Sequence, residues 1–237
     1  MNKLYQIYSR FLKLYEPQGW WPLLELEGSI DRNPTKTGSI RGYHPGDYSY
    51  PRTQAQQFEI CVGAILTQNT AWPNVEKALL NLRRLKLFSA SAIMKAKPAR
   101  LGEAIRSAGY FNQKARKLKI FAEFYSTRLK SGKRAPSRDK LLSLWGIGPE
   151  SADSMLLYAF KIPSFVVDAY TKKIFLNLGL IGKDWNYDRI KALFEDSLPK
   201  DFKIYQEYHA LIVEHAKRYY GRGAAIDSDP LLGIAKD

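Results

Sequence analysis

The sequence predicts an all-α fold. Apolar residues recur at three- and four-residue spacing in segment after segment, and residues that start helices stand at the heads of those segments. No run alternates apolar and polar residues for long enough to make a sheet.

Taken in order, Leu4, Ile7, Tyr8, Phe11 and Leu12 mark a first helix that must stop before Pro17 and Gly19. Residues 28–51 are rich in Gly, Pro, Tyr, Ser and Thr without a period and read as a long surface loop. A second helix is expected over about residues 53–68, burying Phe58, Cys61, Val62, Ile65 and Leu66, and a third over about 73–85. Asn69-Thr70-Ala71-Trp72 joins them. Short helices over about 90–95 and 98–108 lead through Gly109-Tyr110-Phe111 to a longer, strongly basic helix over about 112–129. After the Ser131-Gly132-Lys133 break comes a helix over about 137–144. A Gly146-Ile147-Gly148 turn then leads to a helix over about 149–160, with Pro149 in its first turn. Helices near 169–178, 187–198 and 201–220 complete the chain.

With 237 residues, 45% of them hydrophobic, the chain can build one large or two small cores. Its 37 basic residues outnumber 23 acidic ones, and the net charge of +14 points toward a polyanionic partner, nucleic acid first. A generally basic solvated surface would give the same count. The one cysteine, Cys61, excludes an internal disulfide and an all-cysteine metal site. No apolar run approaches the ~20 residues of a membrane span, and the start lacks a signal-peptide core, so a cytoplasmic protein is expected. His44, His209 and His215 are scattered without metal-ligand spacing, and no metal is assigned to them.

The most informative segment is Leu144-Trp145-Gly146-Ile147-Gly148-Pro149-Glu150-Ser151-Ala152, with Val166-Val167-Asp168 downstream. Two glycines flanking one apolar residue between helices describe a tight turn whose bare backbone N–H groups can approach an anion such as DNA phosphate. Asp168 ends an apolar run, where a carboxylate is expensive to bury without a task or a partner. It also precedes a helical stretch, so helix capping is its plain alternative role.

These segments together resemble the helix-hairpin-helix DNA glycosylase superfamily typified by endonuclease III. The likeness extends back to Gly63-Ala64-Ile65-Leu66-Thr67-Gln68-Asn69 and Gly109-Tyr110-Phe111-Asn112-Gln113-Lys114-Ala115, covering about residues 53–220. The resemblance implies an enzyme that extrudes a damaged or mismatched base from duplex DNA and cuts its N-glycosidic bond. Asp168 is then the catalytic carboxylate, stabilising positive charge on the deoxyribose or serving the attacking water.

Members that also nick the strand carry a hairpin lysine that attacks the sugar. Glu150 stands at that position and cannot form an imine, so a glycosylase without lyase activity is implied. Many members bind an iron–sulfur cluster through four cysteines, two in a Cys-x-x-Cys-Pro-Leu segment. This chain keeps only the frame, Ile226-Asp227-Ser228-Asp229-Pro230-Leu231, with Tyr219 in the place of the first ligand. No iron–sulfur cluster is expected, and the resemblance allows a monovalent cation on hairpin carbonyls. Backbone at Gly146, Gly148 and Glu150 would grip phosphate, Gln68 would fill the gap left by the extruded base, and Lys114, Arg116, Lys117, Lys172 and Lys173 would add electrostatic reach.

Trp20-Trp21-Pro22 and Leu66-Thr67-Gln68-Asn69-Thr70-Ala71-Trp72-Pro73 look most like the branch that removes 3-methyladenine and related alkylated purines. Electron-rich indoles at Trp20, Trp21 and Trp72 can sandwich a cationic base, although ordinary core packing is as good a role for each one singly. Lys217 on the last helix is a further pocket candidate.

The expected architecture is a six-helix domain over 53–160 and a second helical domain built from 1–52 and 161–237, with Asp168 at the mouth of the cleft between them. The expected function is excision of alkylated purines from double-stranded DNA by a monomer. The rivals are a glycosylase for oxidised guanine or mismatched thymine, and a catalytically inactive helix-hairpin-helix DNA-binding protein.

Overall fold

The computed structural model describes residues 2–30, 41–129, 135–221 and 226–233, and every regular element among them is helical. Helix α1, Lys3–Tyr15, is capped by the Asn2 side chain and turns Leu4, Ile7, Tyr8 and Phe11 inward. Helix α2, Gln54–Leu66, starts on a capping box in which Thr53 and Gln56 satisfy each other's backbone N–H groups. Nearly all of α2 from Phe58 onward is buried, which explains why its apolar residues run together instead of forming one stripe. Around it lie α3 (Trp72–Arg84), α4 (Ala90–Lys95), α5 (Pro98–Ala104) and α6 (Phe111–Phe124). The hairpin helices follow as α7 (Arg138–Leu142) and α8 (Pro149–Ser154), and then α9 (Ala169–Asn177), α10 (Tyr187–Ser197) and α11 (Phe202–Tyr219).

The expected elements all form, with differences at their ends. Helix α6 widens into a π-helical turn at Tyr125–Leu129, and α8 does the same at Met155–Ala159. There Phe160 N–H bonds to the Met155 carbonyl at 3.2 Å, five residues back. Left-handed Lys161 and the following Pro163 then end the helix. Helix α7 stops at Leu142, earlier than its apolar pattern, because Leu144 and Ile147 already make the turn bonds of the hairpin.

The principal contacts sort the helices. α2 packs on α3, α6 and α8, whereas α11 packs on α1 and α9, and Met155–Ala159 touches both α2 and α11. The second cluster is aromatic: Phe165 stacks on Phe194 at 4.1 Å between centroids, with Phe175, Tyr205 and Tyr208 edge-on around them. Truncating such a fully buried ring typically costs about 3–5 kcal/mol.

Residues 18–24 and 42–48 bind this frame and each other. Leu23 N–H bonds to the Gly42 carbonyl at 3.0 Å and His44 N–H to the Gly19 carbonyl at 3.1 Å. Buried Glu207 of α11 accepts from Gln18 N–H at 2.5 Å and from the Tyr48 hydroxyl at 3.0 Å. The segment expected to be a surface loop therefore carries buried Tyr43 and a fixed path over 41–51, while 31–40 lie outside the described residues.

Candidate active site

Asp168 is both a cap and a pocket residue, so its two expected roles coexist. As N-cap of α9, its Oδ1 accepts from Thr171 N–H at 2.7 Å and from Thr171 Oγ1 at 2.8 Å. Its other oxygen, Oδ2, lies 3.6 Å from His209 Nε2, and the carboxylate side chain is 13% exposed. Burial pushes this carboxyl up, but His209 and the two Thr171 bonds outweigh it and hold it below the ordinary aspartate range.

A pocket of about 180 Å³ opens beside this carboxylate. Trp20, Trp72, Tyr43 and Tyr170 supply aromatic wall, while Glu150 and His209 share the lining with Asp168. Trp21 lines the pocket too, but its ring is buried between Tyr158, Trp72 and helix α2. Trp20 and Trp72 are half-buried, and Trp72 is held by a 2.9 Å bond from Nε1 to Glu76. Burial and the charge of Asp168 raise the Glu150 carboxyl above its usual range, against the opposing charges of His209 and Lys172.

The hairpin next to the pocket has two different glycines. Gly146 adopts φ +82°, and a Cβ there would stand 2.5 Å from Lys117 Cε, so this position requires glycine. At Gly148, the N-cap of α8, a Cβ would meet nothing within 4 Å. Nothing in the chain's own packing requires the second glycine, and it leaves the backbone beside the helix start bare. Gly146, Gly148 and Glu150 are all exposed at the surface, as an anion grip needs, although Glu150 also lines the pocket, where its carboxyl is desolvated.

Gln68, expected to fill the gap left by an extruded base, is held at the hairpin in this structure. Its amide nitrogen donates to the Gly146 carbonyl at 3.1 Å and to Ser151 Oγ at 2.9 Å, and its oxygen accepts from Lys117 Nζ at 2.5 Å. These bonds tie the end of α2 to the hairpin. A groove of about 470 Å³ runs from Gln68 and Asn69 past Gly146 and Gly148 to Glu150, which borders the pocket as well.

Other lysines also separate. Lys114, expected to reach toward DNA, is buried and donates to the Leu66 carbonyl at 2.8 Å, Thr70 Oγ1 at 2.6 Å and the Ala108 carbonyl at 2.7 Å. Lys173 bonds to the Tyr220 carbonyl at 2.7 Å, whereas Lys172 is exposed on the first turn of α9. Lys217 is half-buried on α11 and is not among the residues lining the pocket, whose α11 wall is His209 and Val213. Arg116 lies 4.1 Å over the ring of exposed Trp145, beside the hairpin glycine.

At the tail, Asp229 occupies the frame in which cluster ligands would stand. It is buried, accepts from the Tyr220 hydroxyl at 2.6 Å and from Leu231 N–H at 2.8 Å, and faces His215 Nε2 at 3.1 Å. The Tyr15 hydroxyl meets His215 Nδ1 at 2.7 Å, joining α1 to α11. Cys61, the sole thiol of the sequence, is buried within α2. These residues do not suit an iron–sulfur cluster.

Sequence reasoning missed His209, Tyr43, Tyr158 and Tyr170. His209 and Val213 share one face of α11, but no short spacing connects them to Asp168. Among the described residues no helix is long and apolar enough to cross a membrane, and no group of three metal-ligating side chains gathers.

Comparison with known proteins agrees with this geometry. A protein of Methanocaldococcus jannaschii named as a DNA repair glycosylase is 39% identical over 96% of this chain and 93% of its own length. The H. pylori 3-methyladenine DNA glycosylase, solved bound to 1,N6-ethenoadenine, superposes with a TM-score of 0.66 at 26% identity, covering 92% of this chain and 98% of that one. An endonuclease III solved in a complex with DNA shares the fold, at a TM-score of 0.72 and 19% identity over 99% of this chain and 95% of that one. Residues 62–200 match the HhH-GPD superfamily, and the chain therefore belongs to this superfamily of base excision DNA repair proteins, the DNA glycosylases that its hairpin and aspartate resemble.

Proposed function

We propose that this chain is a monofunctional DNA glycosylase that removes alkylated purines of the 3-methyladenine kind from duplex DNA. The observation that carries the reading is the meeting of Asp168 with aromatic walls and Glu150 in one pocket. A purine alkylated on its ring is cationic and leaves readily; indole and phenol faces attract it, and the pocket needs only to hold it and stabilise the sugar left behind. Asp168, ionised and fixed by Thr171, would stabilise positive charge growing on the deoxyribose more than it stabilises the ground state. Likeness to a 3-methyladenine glycosylase supports the substrate class.

Glu150 supplies a carboxyl where strand-nicking relatives supply an amine, so excision ends at an abasic site with the strand intact. In this reading the hairpin grips phosphate through bare backbone, and Lys172 adds charge to the same face. No iron–sulfur cluster takes part. A monovalent cation at the hairpin would have to share the Gly146 carbonyl with Gln68, and no step depends on it. The protein would act as a monomer, in the cytoplasm, on nucleoid DNA.

Incubation with methylated duplex DNA, followed by chromatography of the released bases, tests this directly. Release of 3-methyladenine by the wild type and its loss in Asp168→Asn, with duplex binding retained, is expected. Near wild-type release by the variant removes Asp168 from the chemistry. Release only from duplexes bearing oxidised guanine or mismatched thymine overturns the substrate class. No release from any lesion despite tight binding would leave a binding protein.

A further inference from the structure

We propose that His209 is a positioning residue, whose Nε2 faces Asp168 Oδ2 and keeps that carboxylate charged and aimed into the pocket. The inference rests on the reading of Asp168 as the catalytic carboxylate and adds a second residue to it.

His209 is 5% exposed and gripped from two sides. Its Nδ1 lies 2.8 Å from the Tyr158 hydroxyl, itself 3.1 Å from the Gln206 carbonyl. Trp20 meets the ring edge-on, at 5.7 Å between centroids and 90° between planes. That leaves Nε2, which is buried, has no hydrogen-bond partner in reach, and stands 3.6 Å from Asp168 Oδ2. A carboxylate only accepts, so the imidazole that suits this neighbour presents an N–H at Nε2. At 3.6 Å the contact is longer than a formed hydrogen bond but well inside electrostatic range.

Asp168 needs such a neighbour. Thr171 occupies Oδ1 with two bonds, so Oδ2 is the oxygen left for the pocket. Desolvation favours protonation of the aspartate, and a protonated acid cannot stabilise a cationic sugar. Facing it are Tyr158 from the widened turn, His209 from α11, and Thr171 and Lys172 from α9. Of these, Tyr158 is a neutral phenol, Thr171 is uncharged, and the Lys172 charge acts on Glu150. His209 is the group placed to oppose neutralisation at Oδ2.

The test is single-turnover excision from one methylated duplex between about pH 3 and pH 6.5, with spontaneous base release subtracted, using wild type, His209→Asn, His209→Gln and Asp168→Asn. Asparagine keeps an amide near Tyr158 but does not reach Oδ2; glutamine sets its amide nitrogen where Nε2 stood. The acid limb of the rate is expected to move up by about one pH unit in His209→Asn and to return toward wild type in His209→Gln. A uniform loss of rate with the limb unmoved, or the same limb in both variants, overturns the proposal. If His209→Asn does not fold, Tyr158→Phe, which removes only the oxygen holding Nδ1, must move the limb the same way, and an unmoved limb is equally fatal. Asp168→Asn separates the two readings. Full activity there defeats the parent reading, whereas its inactivity beside an unmoved limb in His209→Asn defeats this inference alone.

Discussion

A Cβ added to Gly63 would stand 3.0 Å from Trp21 Nε1 and 3.3 Å from two further atoms of the same indole. The glycine sits inside helix α2, where glycine is unfavourable by about 1 kcal/mol relative to alanine, yet its bareness lets the indole lie against the helix. Gly63→Ala should therefore improve α2 and displace Trp21 by a few tenths of an ångström, and with it the Trp72 ring packed 5.5 Å away. Two effects of opposite sign predict a melting temperature within a few degrees of wild type and excision reduced by about tenfold. Thermal melts and single-turnover kinetics on one methylated duplex check both. Undiminished excision would show that the indole wall is not sensitive to this contact.

Glu150 makes a second prediction. Borohydride trapping with lesion-bearing duplex should give no covalent adduct in the wild type, because no amine occupies the hairpin position beside Asp168. Glu150→Lys puts a primary amine into the lining of that pocket and should gain a trappable adduct. An adduct already formed by the wild type would end the monofunctional reading.

Why some of this was legible in the sequence and some was not has a physical basis. Helix starts are local events, and Thr53, Ser89, Ser137 and Asp168 each cap the helix that follows within a few residues. The hairpin is equally local, since the positive φ of Gly146 belongs to the turn itself. Contacts across the fold are not. Tyr43 reaches the pocket because its segment pairs with residues 19–23, and His209 reaches Asp168 because α11 packs on α9. Lys114 lies on the basic helix with Arg116 and Lys117, and no periodicity distinguishes an amine held by three acceptors inside the fold from one in solvent. Trp21 and Trp20 are neighbours in sequence, and only the approach of α2 makes one a buried wall and leaves the other half-open.

Glu59 gives a prediction about stability and pH. Its buried carboxyl accepts from Leu24 N–H at 2.6 Å, and burial pushes its pKa up to about 7, with Arg83 opposing and Glu25 reinforcing the shift. A carboxyl raised in the folded state binds more protons there than in the unfolded chain. Stability contributed below the unfolded value is therefore lost as pH rises through about 7. Glu59→Gln keeps an oxygen for Leu24 and has no charge to bury. It should be more stable than wild type at pH 8 by about 2–3 kcal/mol, with the gap closing by about pH 5. Denaturant melts of both proteins at the two pH values measure it, and an equal gap at both would contradict the assignment.

The tail offers the sharpest test of how the chain holds together where cluster-bearing relatives use metal. Asp229 faces His215 at 3.1 Å and accepts from Tyr220, whose hydroxyl also accepts from Asn177 Nδ2 at 3.0 Å, while His215 meets Tyr15. One buried carboxylate thus connects α1, α9, α11 and the tail. Its pKa is held low: burial raises it, but His215, Tyr220 and the Leu231 N–H together outweigh burial. Removing it leaves the surrounding donors without an acceptor, and breaking a buried network of this kind costs about 3–5 kcal/mol. Asp229→Ala should lose that much in denaturant unfolding. Asp229→Asn keeps an acceptor for Tyr220 and should lose less, and its deficit should shrink in acid, where the wild-type carboxylate is itself neutralised as pH falls through its depressed pKa. The site residues Asp168 and His209 lie elsewhere along α9 and α11 and share no bond with Asp229, so excision per folded molecule should be unchanged in Asp229→Asn. Loss of excision in a fully folded Asp229→Asn sample would show that the tail network also shapes the pocket wall on α11.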